Sequence, residues 1–317
     1  MTAGRIESAV SLSDMIEKQL SRNFVIFHPS DFSPESDVAF GHALKIALQA
    51  KAKFDIMHVN PHLSPDRDSW LDFPAVRATL TRWGILPDGV ARAEVSKTGL
   101  RVRKILGSGA DPVGTMLRHF RRFPPDLIVL STHQRRGIER WLHSAVAEPL
   151  ARRSGAMTLF VPRHGRGFVS LKDGVLALRR ILVPIDYDPD PQTALDKALL
   201  LAHGLDCVSG EFLLVHVGRR IAPMVDLPQR SGWSYEITVR HGDIVDEILK
   251  TARDWQPHLM VLATQGHQDF LDALYGSTTE QVLRGARCPV LAVPPLRYFV
   301  GGRTAAKNAR VRERVSR

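Results

Sequence analysis

The chain has 317 residues, 43 Lys and Arg against 33 Asp and Glu, a formal charge of +10, and 44% apolar residues. At about 150 residues per domain this length suggests two domains, each able to bury a core, and the composition excludes a disordered, collagen-like or coiled-coil chain. No apolar run approaches the roughly 20 residues of a membrane helix, and the first twenty residues lack the apolar centre of a signal peptide. Cys207 and Cys288 alone make neither a disulfide framework nor a zinc site, which fits a reducing cytoplasm.

Residues 1–22 read as an N-terminal extension. Two stretches, 23–165 and 180–296, then repeat each other. FVIFHPSD at 24–31 matches RILVPID at 180–186, and DIMHV at 55–59 matches LLVHV at 213–217. DLIVLST at 126–132 matches HLMVLAT at 258–264, and MTLFVP at 157–162 matches PVLAVP at 289–294. The offset falls from 155 and 158 residues at the first two pairs to 132 at the last two, so the second half has lost about two dozen residues between its second and fourth strands.

The apolar runs are nearly continuous, as expected of parallel strands buried on both faces. Between them the period changes to that of a helix. Ala194, Leu195, Ala198, Leu199 and Ala202 share one face, and Ile244, Val245, Ile248, Leu249 and Ala252 repeat that spacing. Asp111-Pro112 and Asp243 are suited to open helices. Strands alternating with helices predict an α/β fold of two tandem doubly wound domains, each a five-stranded parallel sheet flanked by helices. In the first half, residues 73–83 read as a helix leading to a strand near 100–106. The matching segment of the second half, 218–233, contains Pro223, Pro228 and Gly232, and is expected to be an irregular loop. Residues 166–179 carry Asp173-Gly174 between apolar flanks and read as a hairpin linker.

The charge is uneven. Residues 1–165 are net +7, residues 166–296 net −3, and residues 297–317 net +6. The last stretch reads as a flexible, basic, solvated tail. No nucleic-acid-binding motif accompanies it.

The pattern richest in chemistry is Ala263-Thr-Gln-Gly266, nine residues, then Gly276-Ser277-Thr278, after one apolar strand and before a helix at 278–286. Glycines let backbone amides approach phosphate oxygens, and a helix N-terminus adds partial positive charge. Ser277 and Glu280 also have the spacing of a capping box, which needs no ligand.

With these residues the chain resembles the universal stress protein (UspA-like) family, in tandem. The resemblance rests on Val183-Pro184-Ile185-Asp186, Leu214-Val215-His216-Val217, His241-Gly242-Asp243, the glycine pattern, and the run from Arg287-Cys288-Pro289 to Val293-Pro294. It is close over 180–294 and looser over 23–162. It implies the strand order 3-2-1-4-5, and pairing of the two halves through their last strands or a homodimer. It further implies binding of an adenine nucleotide, ATP with Mg²⁺, by a regulatory protein of the stress response rather than by an enzyme. Carried over residue by residue, the site consists of Pro184, Asp186, Val217, Leu262, Ala263, Gly266, Gly276, Ser277 and Thr278. Ala263 departs from the family's glycine by a methyl group. In the first half Ser131, Gln134, Ser144 and Ala145 stand at the matching positions, with Arg135, Arg136 and Arg140 between, so that half reads as a degenerate structural partner.

Two other readings remain open. The chain could be a nucleotide-free interaction scaffold, for which Ala263 and the shortened 218–233 segment speak. Alternatively, His216, His241, His267 and Asp186, with Asp188 and Asp190, could converge as the centre of a metal-dependent phosphohydrolase. His58 and His216 otherwise read as strand-end packing, and no hydrolase elbow, Walker loop or dinucleotide fingerprint is present.

Overall fold

A computed structural model describes residues 24–33, 36–60, 73–132, 146–163, 167–229, 231–264 and 278–295. The N-terminal extension and the basic tail lie outside these residues.

The first half runs β1 (Val25–Pro29), α1 (Asp37–Gln49), β2 (Lys53–Asn60), α2 (Val76–Arg82), α3 (Ala93–Lys97), β3 (Arg101–Ser108), α4 (Pro112–Phe120), β4 (Leu127–Thr132), α5 (Ala147–Ser154) and β5 (Met157–Pro162). The second runs β6 (Arg180–Pro184), α6 (Pro191–Gly204), β7 (Gly210–Val217), β8 (Trp233–Arg240), α7 (Ile244–Trp255), β9 (Leu259–Ala263), α8 (Thr278–Gly285) and β10 (Val290–Val293). The spatial order is β3-β2-β1-β4-β5-β10-β9-β6-β7-β8. Each half therefore has the order 3-2-1-4-5, with every internal pairing parallel. The two halves meet where β10 runs antiparallel to β5, with Val290 opposite Phe160 and Ala292 opposite Thr158.

The sheet separates two apolar layers. One contains α1, α2 and α6, and the other α4, α5, α7 and α8. Central strands face both layers, so Ile181, Leu182 and Val183 are all fully buried, each stabilising the fold by roughly 1.5–3 kcal/mol. The helix starts follow the sequence signals. Asp111, Asp190 and Asp243 accept hydrogen bonds from the backbone amides of Gly114, Gln192 and Asp246, satisfying donors that the first turn leaves over.

Residues 218–229 contain no helix, whereas the matching part of the first half contains α2 and the short α3, the latter not foreseen from the sequence. Ala222, Val225 and Leu227 pack into the same apolar layer as α2. Two polar clasps hold this loop against the turn after β6 and the start of α6. Tyr187 Oη donates to the Ile221 carbonyl at 2.6 Å. The Gln192 amide accepts from Asp226 N at 2.8 Å and donates to the Asp226 carbonyl at 3.3 Å.

Residues 168–177 fold back on themselves through an antiparallel bridge between Val169 and Leu176. This hairpin is part of the first half's core, with Phe168 fully buried. His42 Nδ1 donates to the Val38 carbonyl, leaving Nε2 to accept from the amides of Phe168 and Val169 at 3.0 and 3.3 Å. Trp83 Nε1 donates to the Leu171 carbonyl at 3.2 Å. Gly174, at φ +70°, lies under the same indole, and a Cβ there would come within 2.6 Å of it.

Candidate functional site

β6 lies between β7 and β9, all three parallel, so their carboxyl ends share one edge of the sheet. The chain leaves β6 into α6 on one face and reaches β9 from α7 on the other. This is the topological switch point, where open α/β sheets bind ligands.

The structure brings most of the sequence-derived site to that edge. Pro184 ends β6, Asp186 follows two residues later, Val217 ends β7, and Leu262 and Ala263 end β9. Thr278 opens α8, whose first turn faces the same end of the half. Gly266, Gly276 and Ser277 lie outside the described residues, as do His267 and, in the first half, Gln134, Arg135, Arg136, Arg140, Ser144 and Ala145. Glu280 is buried and pairs with Arg284 one turn along α8.

Asp186 is an exposed charge at this edge, its side chain 54% accessible. Its Oδ1 accepts from Tyr187 N at 2.8 Å and stands 3.8 Å from His216 Nδ1. His216 is buried, and its Nδ1 donates to the Ile185 carbonyl at 3.1 Å. The opposite ring nitrogen, Nε2, is a buried acceptor with no hydrogen-bond partner among the described residues, lying 3.1 Å from where a Cβ on Gly218 would sit. Asp190 is occupied as the cap of α6. Among the described residues, no three of His, Cys, Asp and Glu surround a common point as a metal site would require.

The first half carries a cleft of about 290 Å³ at the same end of its strands. Asp31, Ser30, His58, Ser131, Met116 and Arg163 are among its walls. Phe32 stacks on His58 with ring centres 3.8 Å apart, and His58 Nδ1 donates to the Ser30 carbonyl at 2.8 Å. Burial pushes the Asp31 carboxyl up, but hydrogen bonds from Ser33 and the Arg163 charge outweigh it and leave it below its ordinary value. Sequence reasoning missed this cleft, because Arg163, His58 and Met116 come from three separate elements.

The universal stress protein family model matches residues 25–162 and 218–294, about two thirds of the chain. The chain belongs to the universal stress protein family. Its fold is shared with solved members and relatives. A universal stress protein from Archaeoglobus fulgidus DSM 4304 superposes with a TM-score of 0.58 at 16% identity, covering 85% of this chain and 96% of that one. A functionally unknown protein from Pseudomonas aeruginosa PAO1 gives 0.56 at 13% identity, covering 88% and 95%. At such identities the likeness is one of fold. None of the curated proteins compared matches the chain. As a member of the family it has, among the described residues, no helix long and apolar enough to cross a membrane.

Proposed function

We propose that the second half of this universal stress protein binds an adenine nucleotide, ATP with Mg²⁺, and acts through binding rather than turnover. The carrying observation is the gathering of Pro184, Asp186, Val217, Leu262, Ala263 and Thr278 at one edge, at the switch point of the sheet. An exposed carboxylate there suits a nucleoside hydroxyl, which Asp186 would hold. The amides around Gly266, Gly276 and Ser277 would cradle phosphates, aided by the N-terminus of α8. Ala263 adds only a methyl group, which would weaken rather than block the nucleotide's approach. Mg²⁺ would arrive with the triphosphate and screen its charge.

The turn that carries Asp186 and the first turn of α6 hold the 218–229 loop through Tyr187 and Gln192 respectively. A ligand on Asp186 would therefore bias the loop, and with it any partner the loop meets, which is how a binding protein of the stress response would signal. A cytoplasmic location accords with the two free cysteines, Cys207 and Cys288.

Titration with labelled ATP tests the reading. Saturable binding is expected, weakened about tenfold or more by Asp186→Ala, since a hydrogen bond to a charged group contributes about 1.5–3 kcal/mol. A bulky residue at Gly276 should abolish it with the fold intact. No saturable binding at millimolar ATP would leave the interaction scaffold as the better reading. One observation favours a second ligand site. The first-half cleft is well formed although its glycines are gone, and binding retained in Asp186→Ala but lost in Asp31→Ala would place the ligand there.

A further inference from the structure

We propose that β8 is a docking edge for a second copy of this chain, joined by antiparallel β8–β8 pairing. Among the described residues β8 pairs only with β7, so one side of the strand is open. The backbone phase of that side follows from its two ends. Gly210 N donates to the Gly232 carbonyl at 2.9 Å, and Gly218 N donates to the Arg240 carbonyl at 3.0 Å. In a parallel ladder alternate residues turn both their backbone groups the same way. Ser234, Glu236, Thr238 and Arg240 therefore face β7, while Trp233, Tyr235, Ile237 and Val239 present N–H and C=O outward.

The side chains favour a self-complementary partner. Ile237 and Val239 lie on one face, 44% and 41% exposed, beyond the apolar cover of the sheet. Glu236 and Arg240 lie on the other, both exposed and, among the described residues, without an ion pair. A two-fold axis through Thr238 sets each Glu236 opposite the other copy's Arg240, twice. It also sets Ile237 opposite Val239 as hydrogen-bonded pairs, matching the outward backbone groups. Centring the axis on Glu236 would oppose two carboxylates, and centring it on Ile237 would leave both charges facing Ser234 and Thr238. Charge and apolar pairing thus select one register, an isologous contact that closes on itself.

The opposite end of the sheet is built differently. β3 carries Arg101, Arg103 and Lys104 and no acidic residue, so a second β3 would meet like charge. Natural sheets protect edges in that way, and β8, with one charge of each sign and no proline, lacks the protection.

The geometry has a direct test. Opposed residues of a non-hydrogen-bonded pair stand about 4.5 Å apart at Cα, within disulfide range. Thr238→Cys in a Cys207→Ser background should therefore cross-link to itself under mild oxidation, while Ser234→Cys should not. Sedimentation velocity should show a concentration-dependent dimer, weakened about tenfold or more by Glu236→Arg and restored in Glu236→Arg/Arg240→Glu. A wild type that stays a single chain at high concentration, a dimer indifferent to Glu236→Arg, or equal cross-linking of the Thr238 and Ser234 variants would each overturn the proposal.

Discussion

The two halves share a strand order and differ in how the outer strands of one sheet face are covered. In the first half α2 and the hairpin seal it, through Trp83, Phe168 and the His42 clasp. In the second half a loop does so, with partly buried Ala222, Val225 and Leu227 and with clasps from Tyr187 and Gln192. Apolar burial is strong and indifferent to ligands, whereas clasps beside an exposed Asp186 can be shifted by what binds there. The comparison teaches that duplication preserved the sheet and divided the labour at its cover. One half is closed by a helix and a hairpin, the other by a loop held with polar clasps.

The largest way to break this contrast is pH. Burial pushes His28 and His42 down to about 4, and both belong to the first half. At the 155-residue offset of the first strands, Val183 and Lys197 stand in their places in the second. An unfolded histidine titrates near 6.5, so between 6.5 and 4 the unfolded chain takes up protons that the folded chain refuses. The contribution is complete above 6.5 and lost as the pH falls through that window, by about 3 kcal/mol for each histidine. Hydrogen exchange followed from pH 7.5 to 4 should show first-half protection declining before that of the second half.

The difference in cover can be measured next. Trp83→Ala removes a buried indole and its bond to Leu171, and should cost about 3–5 kcal/mol in denaturant unfolding. Leu227→Ala, at the equivalent cover of the second half, removes a partly exposed side chain and should cost only about 1 kcal/mol. Equal costs would mean that the loop seals the sheet as firmly as the helix does.

Most of this architecture was legible in the sequence, for a physical reason. Strands buried on both faces must be apolar without interruption, so ILVPI, FLLVHV and LMVLA announce themselves and their repetition gives the domain plan. The site residues Pro184, Asp186, Val217 and Ala263 came from the family resemblance, and the structure places them at or just after the ends of such runs. The loss of the second-half helix was visible as missing length and added prolines. The His42 clasp was not, since a single polar residue on a helix says nothing about amide donors 126 residues away. The first-half cleft was hidden likewise, since its walls meet only after folding.

A smaller effect sharpens the account of the adjustable loop. Gln192→Ala removes the paired hydrogen bonds to Asp226 and should destabilise the loop by about 1 kcal/mol. Limited proteolysis should then cut more quickly within 218–229, with cleavage elsewhere unchanged.

The central claim is that the second half holds the nucleotide. Native mass spectrometry of freshly purified protein titrated with ATP and Mg²⁺ tests it most directly, comparing wild type, Asp186→Ala and Asp31→Ala. The account predicts one nucleotide mass per chain, lost with Asp186→Ala and kept with Asp31→Ala. Loss with Asp31→Ala alone, or no nucleotide mass at any millimolar concentration, would contradict it.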